Sequence, residues 1–286
     1  MSDKAVNQQG IRGIIARFKH SPLALIGLFV VVLLILVAVF ADYVAPYHYA
    51  KQNLMMAYTE PCAEYIFGTD EFGRDIFSRV IYGSRVSLFV GFIAVGIAII
   101  LGGLCGSIAG YYGGRLDNVI MRVMDVLLSI PSTLLAIAIA AALGPGLRNL
   151  MIAVGISTTP RYARIIRSSV LTIRGQEFIE AARAVGAGSG RIILKHIIPN
   201  SLSPLIVQAT LGVASAILTA AGLSFIGLGI QPPVPEWGAM LSNGRTFIRD
   251  YPYMTMFPGL AIMITILALN FLGDGLRDAL DPKLKR

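Results

Sequence analysis

Charge is the scarcest thing in this chain. Asp, Glu, Lys and Arg make up 14% of its 286 residues, where a soluble domain carries about a quarter. An ordinary water-soluble globule is excluded. Two cysteines, Cys62 and Cys105, cannot build a disulfide framework. Cys105 sits in an apolar run and reads as a small hydrophobe; Cys62 reads as an unpaired loop thiol. His20, His48 and His196 lack metal-ligand spacing, so no metal site is expected. No GxxxxGKS/T phosphate loop occurs, so the chain does not bind ATP that way. Gly186-Ala187-Gly188-Ser189-Gly190 has the glycines of such a loop without the lysine. No Ser-His-Asp or paired-carboxylate arrangement stands out, so no catalytic residues are assigned. No internal repeat is visible, which argues against the inverted repeats of many secondary transporters.

What is present is apolar surface. Hydrophobic residues make up 55% of the chain, and the mean hydropathy is +0.71. This predicts an all-α integral membrane protein with six transmembrane helices, near 21–41, 86–112, 119–142, 147–166, 203–230 and 255–275. Ser21 to Ala41 carries no charge and reads as a retained anchor. The net charge of +8 could suggest nucleic acid, but the basic residues sort by loop as membrane topology requires. With the N-terminus inside, 17 of the 24 Lys and Arg fall on the inner side. The expected organisation is a cytoplasmic tail 1–20, a membrane domain 21–276 with an outer loop 42–85 and an inner loop 167–202, and a cytoplasmic tail 277–286.

Within the outer loop, Phe72, Ile76, Val80 and Ile81 recur at helical spacing between Glu71, Arg74, Asp75 and Arg79. This predicts a separate amphipathic helix on the membrane surface, with Asp75 and Arg79 paired at i,i+4. Gly102, Gly106 and Gly110, and again Gly212, Ala216 and Ala220, predict close helix–helix seams. Arg161, Arg164 and Arg167 end the fourth span, since each would cost about 2.5–3.5 kcal/mol at the bilayer centre. Three arginines after Pro160, with no TVGYG filter, do not make a voltage-gated channel. Asp125 is expected to pair with an inner-face arginine.

The inner loop is the most informative stretch. Glu177 to Val185 predicts a helix of about two turns. Gly186 ends it, Arg191 to Ile198 resumes it, and Pro199 is expected to stop it. Glu180-Ala181-Ala182, then Gly186, then Pro199, resembles the Glu-Ala-Ala loop of permease subunits of binding-protein-dependent ABC importers. It departs from that family's pattern at His196, where the pattern has Ile, and at Ile198, where it has Leu. Lys195-His196-Ile197-Ile198-Pro199-Asn200 resembles the peptide and nickel class in particular. So do the stretches beginning Gly68-Thr69-Asp70-Glu71-Phe72-Gly73-Arg74-Asp75 and Gln231-Pro232-Pro233, and the ending Gly273-Asp274-Gly275-Leu276-Arg277.

The resemblance implies a type I permease fold in a bacterial inner membrane, with both termini cytoplasmic. It implies a sister permease, two cytoplasmic ATPase subunits that hold ATP and Mg, a periplasmic substrate-binding protein, and no cofactor on this chain. It implies an ATPase-coupling loop of Glu177, Glu180, Ala181, Ala182, Arg183, Gly186, His196 and Pro199. The polar path residues proposed beside it are Ser132, Thr133, Ser157, Thr158, Gln208, Ser215, Thr219 and Asn270, each of which, taken alone, reads first as an interhelical hydrogen bond. Asp70, Arg74, Asp75, Pro233, Glu236 and Trp237 are expected at the binding-protein face. The cargo implied is a di- or oligopeptide, glutathione-like peptides included, with a nickel chelate as the rival. A stand-alone, ion-coupled transporter would need mid-span carboxylates, which these spans lack.

Overall fold

The computed structural model describes residue 13 and residues 15–280, and most of the two expected tails, 1–20 and 277–286, lies outside the described residues. The described residues are helical and loop in character, with one isolated antiparallel bridge, Thr69 to Asp75. Helix α1, Pro22–Val39, starts on a Ser21 hydroxyl that accepts the Ala24 N–H at 3.4 Å, with Pro22 in its first turn. Its flanks expose Leu23, Ile26, Phe29, Leu33 and Leu36, as a helix surrounded by lipid should.

Helix α2, Ile76–Tyr112, corrects the outer-loop expectation. It is one 37-residue helix, about 55 Å long at 1.5 Å per residue, so its first turns rise out of a hydrocarbon core of about 30 Å. There is no separate surface helix, and Phe72 lies before the helix begins. The reason is Asp75. Its carboxylate accepts the Ser78 N–H at 2.8 Å and the Ser78 hydroxyl at 2.6 Å, which makes it the helix cap. Arg79 therefore turns to Asp70, at 3.6 Å, instead of Asp75.

The expected third span is broken. Helix α3, Gly114–Ser129, and helix α4, Ser132–Leu143, meet at 91°. Pro131 forces Ile130 into an extended conformation, which no continuous helix accepts. Helix α5, Leu147–Ile173, runs seven residues beyond its expected end and passes through Pro160. Its arginines are matched by α3. Arg167 makes a two-pronged bridge to Asp117, both bonds 2.6 Å, and Arg164 meets Asp125 at 2.8 Å, the inner-face pair expected for Asp125.

Helix α6, Glu177–Ala184, lies in the inner loop; α7, Leu202–Phe225, α8, Trp237–Gly244, and α9, Tyr253–Leu280, complete the fold. By length and composition α1, α2, α7 and α9 can each cross a membrane, and the bent pair α3–α4 can serve as a fifth crossing. The arginines of α5 keep it below that measure, although it is long enough.

The seams fall where the small residues are. α2 and α5 run parallel and share the largest interface. A Cβ at Gly102 would sit 2.7 Å from the Thr159 carbonyl oxygen, and one at Gly110 would sit 2.8 Å from Val170 Cβ. Gly106 faces the Ala163 carbonyl in the same seam. On α7, Gly212 makes room for the Tyr162 hydroxyl, while Ala216 and Ala220 are buried against the core. Gly27 on α1 lets the Ala268 backbone of α9 approach. The central core joins Val90, Ala94, Leu150, Val154, Val213 and Ile217 from three helices, α2, α5 and α7. Smaller clusters include one under α8, one under α6, and one that joins Ala41 to Ile81 and Tyr82.

Candidate functional site

Helix α6 is held to the bundle by one fully buried side chain, with most of its other residues exposed. Glu177 and Glu180 lie in its first turn and Arg183 in its last, each favourable to the helix dipole. Gly186 ends it with a φ of +81°, the left-handed conformation glycine tolerates best. The Gly186 N–H donates to Arg183 O at 2.9 Å and the Ala187 N–H to Ala182 O at 3.0 Å, a Schellman closure. Ile179 is fully buried, among Ile166, Val170, Ile173, Ile192 and Ile197. Glu177, Glu180, Ala181, Arg183 and Gly186 are exposed, and Ala182 is half-buried. The Arg183 guanidinium stands 5.3 Å over the Tyr111 ring at the end of α2. The His196 ring is 6.3 Å from Phe178.

Pro199 does not stop the chain. It is exposed, in a short helical segment Ile198–Asn200 that leads into α7. The turn before it widens to a π-helix, Ile193–Ile197. A proline without an N–H leaves a carbonyl behind it unbonded, and a wider turn accommodates that loss. Ile179, Ile192 and Ile197 were missed as anchors. The five-residue step from Ile192 to Ile197 fits a π turn and falls outside the 3.6 period that sequence patterns reveal.

The polar residues of the spans divide into two groups. Ser132 and Thr133 are exposed at the start of α4, beside the break. On α7, Gln208 and Thr219 are half-buried and Ser215 is exposed. Steps of seven and four residues put all three on one face. Ser157 is buried and donates to Val154 O at 2.9 Å, and Thr158 donates to the same carbonyl at 2.9 Å. Both hydroxyls are therefore committed to their own helix, as are those of Ser215, to Leu211 O at 3.3 Å, and Thr219, to Ser215 O at 2.9 Å. Asn270 is half-buried on α9.

At the outer end the structure puts five of the six expected face residues inside. Asp70, Arg74, Asp75, Glu236 and Trp237 are buried, and Pro233 is exposed. Asp70 holds Arg74 Nε at 2.6 Å and accepts the Phe72 and Arg74 N–H groups. Arg79 reaches Tyr49 O at 3.0 Å and Pro233 O at 3.4 Å, tying two outer loops together. Glu236 caps α8 through the Gly238 and Ala239 N–H groups, both at 2.9 Å, and takes a 3.3 Å bond from Ser87. Trp237 Nε1 donates to Val80 O at 3.0 Å. These side chains weld the outer loops to α2 and do not reach outward in this conformation. Burial pushes the Glu236 carboxyl above its ordinary range, opposed by the N–H groups it accepts. Burial also raises the Glu71 carboxyl, with neighbouring Asp70 adding to the effect. Among the described residues no group of three His, Cys, Asp or Glu is placed to hold a metal.

Comparison with known proteins is consistent along the chain. Residues 102–286 match the family model for the inner membrane component of binding-protein-dependent transport systems. Residues 11–61 match the model for the N-terminal transmembrane domain of oligopeptide transport permease C. The dipeptide transport system permease protein DppC of Alkalihalophilus pseudofirmus is 53% identical over 269 residues, covering 94% of this chain and 88% of that one. The di/tripeptide transport system permease protein DppC of Pseudomonas aeruginosa is 47% identical, over 94% of this chain and 90% of its own. The glutathione transport system permease protein GsiD of Escherichia coli O6:K15:H31 is also 47% identical, over 94% and 89%. Among solved structures, an inward-facing MetNI methionine ABC transporter aligns with a TM-score of 0.57 at 20% identity, over 71% of this chain and 96% of that one. That likeness concerns the fold alone.

Proposed function

This chain belongs to the family of inner membrane components of binding-protein-dependent transport systems, and on that premise we propose that it is the membrane subunit through which an ATP-driven importer passes di- or oligopeptides. The peptide cargo is supported by relatives named for dipeptide, di/tripeptide and glutathione transport at 47–53% identity. The observation that carries the mechanism is α6, a short helix with one buried isoleucine and an exposed charged face. ATP and Mg belong on two partner ATPase subunits, and a groove on an ATPase receives α6. Movement of that ATPase shifts Ile179, and with it the inner ends of α5 and α7, as one packed body. Glu180 orients the helix in the groove, and Ala181 lets it approach closely. A sister permease completes the path, with Gln208, Ser215 and Thr219 on the face of α7 turned toward it. The N- and C-termini lie on the ATPase side, and the welded outer loops face a soluble binding protein.

The test is reconstitution of the chain with its partner subunits in proteoliposomes. Glu180→Lys should leave insertion and assembly intact, abolish peptide uptake, and leave ATP hydrolysis no longer stimulated by loaded binding protein. Wild-type uptake by this variant would overturn the assignment of α6.

A further inference from the structure

A groove of about 510 Å³ opens where the inner ends of α5, α7 and α9 meet. Its size suits a small organic ligand. Arg161 of α5 and Arg277 of α9 both line it, together with Ser203 and Gln208 of α7. Both arginines are exposed, and among the described residues neither makes an ion pair with a carboxylate. The other inner-face arginines of α5 differ in this respect, since Arg164 and Arg167 are committed to Asp125 and Asp117. Asp278, the chain neighbour of Arg277, lines a different groove beside His20 and Ser21. Two guanidinium groups in one concavity, flanked by a hydroxyl and an amide, form an anion-binding set.

Position identifies the anion. Gln208 is the inner end of the polar face that continues through Ser215 and Thr219 along α7. The groove is therefore the cytoplasmic end of that face. We infer that Arg161 and Arg277 form an exit site that takes the terminal carboxylate of the cargo as it leaves toward the cytoplasm. This rests on the peptide reading above. A site of this kind would draw an acid-terminated cargo to the inner mouth and release it into water.

The experiment uses inside-out vesicles carrying the full transporter, with Val207→Cys, a groove-lining position that leaves both arginines in place, in a Cys62→Ser, Cys105→Ala background. The rate at which a neutral thiol reagent modifies that position is read with a dipeptide or its C-terminal amide on the cytoplasmic side. The free acid should slow labelling about threefold or more, since a carboxylate held by charge-assisted contacts covers the groove. The amide should not slow it, and adding Arg161→Gln should remove the protection. Equal protection by acid and amide overturns the inference. So does labelling that follows the phosphatidylglycerol content of the vesicles and ignores peptide, which would make this a lipid headgroup site. Acetate serves as a cargo-independent probe. Acetate protection together with no dipeptide uptake by the wild-type transporter would leave the anion site standing and sink the peptide reading. Dipeptide uptake without protection by either carboxylate would sink the site alone.

Discussion

Single residues hold the two ends of this molecule in shape. Gly186 is required for its φ of +81° at the end of α6, not for space, since nothing lies within 4 Å of a Cβ built there. Gly186→Val should cost on the order of 1–2 kcal/mol locally from left-handed backbone strain and fray α6. Faster hydrogen exchange over residues 177–187, with the rest unchanged, is the expected reading. Glu71 offers a pH handle at the outer end. Its carboxyl is raised by burial and then by Asp70, so folding favours the protonated form. That contribution is complete below the ordinary value of 4.5 and is lost as pH climbs through the raised one. Thermal unfolding of the solubilised protein should therefore show Glu71→Gln gaining on wild type as pH rises across that window. A constant gap would remove burial as the cause. Glu180, Ala181 and Gly186 were legible as a motif because their spacing is local. The burial of Asp70, Arg74, Asp75, Glu236 and Trp237 was not, because their charge and aromaticity read equally well as a docking face.

At the scale of elements, α6 depends on Ile179. Truncation to Ala removes most of a fully buried side chain from the cluster of Ile166, Val170, Ile192 and Ile197 and should cost about 2–5 kcal/mol of local packing. The expected phenotype is ATP hydrolysis without proportional uptake, checked by the ratio of the two rates in proteoliposomes. Ile179→Val should retain most coupling, and a coupled Ile179→Ala would show that α6 is anchored elsewhere. The outer part of α2 shows how a reading of elements goes astray. The apolar spacing around Ile76 and Val80 predicts a helix, and the segment is helical, but Ile76, Ser78, Arg79 and Ile81 are all buried, so it is not an amphipathic surface helix. That it is continuous with the second span follows from Asp75 acting as a cap, whereas the pattern was compatible with a break. The bend between α3 and α4 lies at Pro131, a visible residue, yet Pro160 lies in α5 without ending it. A proline marks where a helix is weakened, and its neighbours decide whether it breaks.

For the whole molecule, the seam between α2 and α5 is the structural spine. Gly106 faces the Ala163 carbonyl with no room for a side chain. Gly106→Leu should force the two helices apart by a side-chain layer and prevent a stable permease from accumulating in the membrane. Gly103→Leu, with nothing within 4 Å of its Cβ position, should be tolerated. Comparing the two by yield of folded protein separates seam packing from a general intolerance of bulk in α2. Topology has an equally direct check. Cysteines introduced at Glu180 and at Met55, both exposed, should react with an impermeant reagent from opposite sides of the membrane. Labelling from the same side would overturn the orientation on which the coupling role depends.

Composition and local spacing were sufficient for the membrane setting, the helical class, the small-residue seams and the short helix α6 with its glycine end. Each of these depends on transfer energy or on periods of a few residues, both of which are written along the chain. Three features were decided only when the helices came together: the fusion of the outer-loop helix with α2, the pairing of Arg167 with Asp117 fifty positions away in sequence, and the meeting of Arg161 with Arg277 in one groove. These depend on which distant side chains the packed helices bring to one place, and no one-dimensional pattern records that.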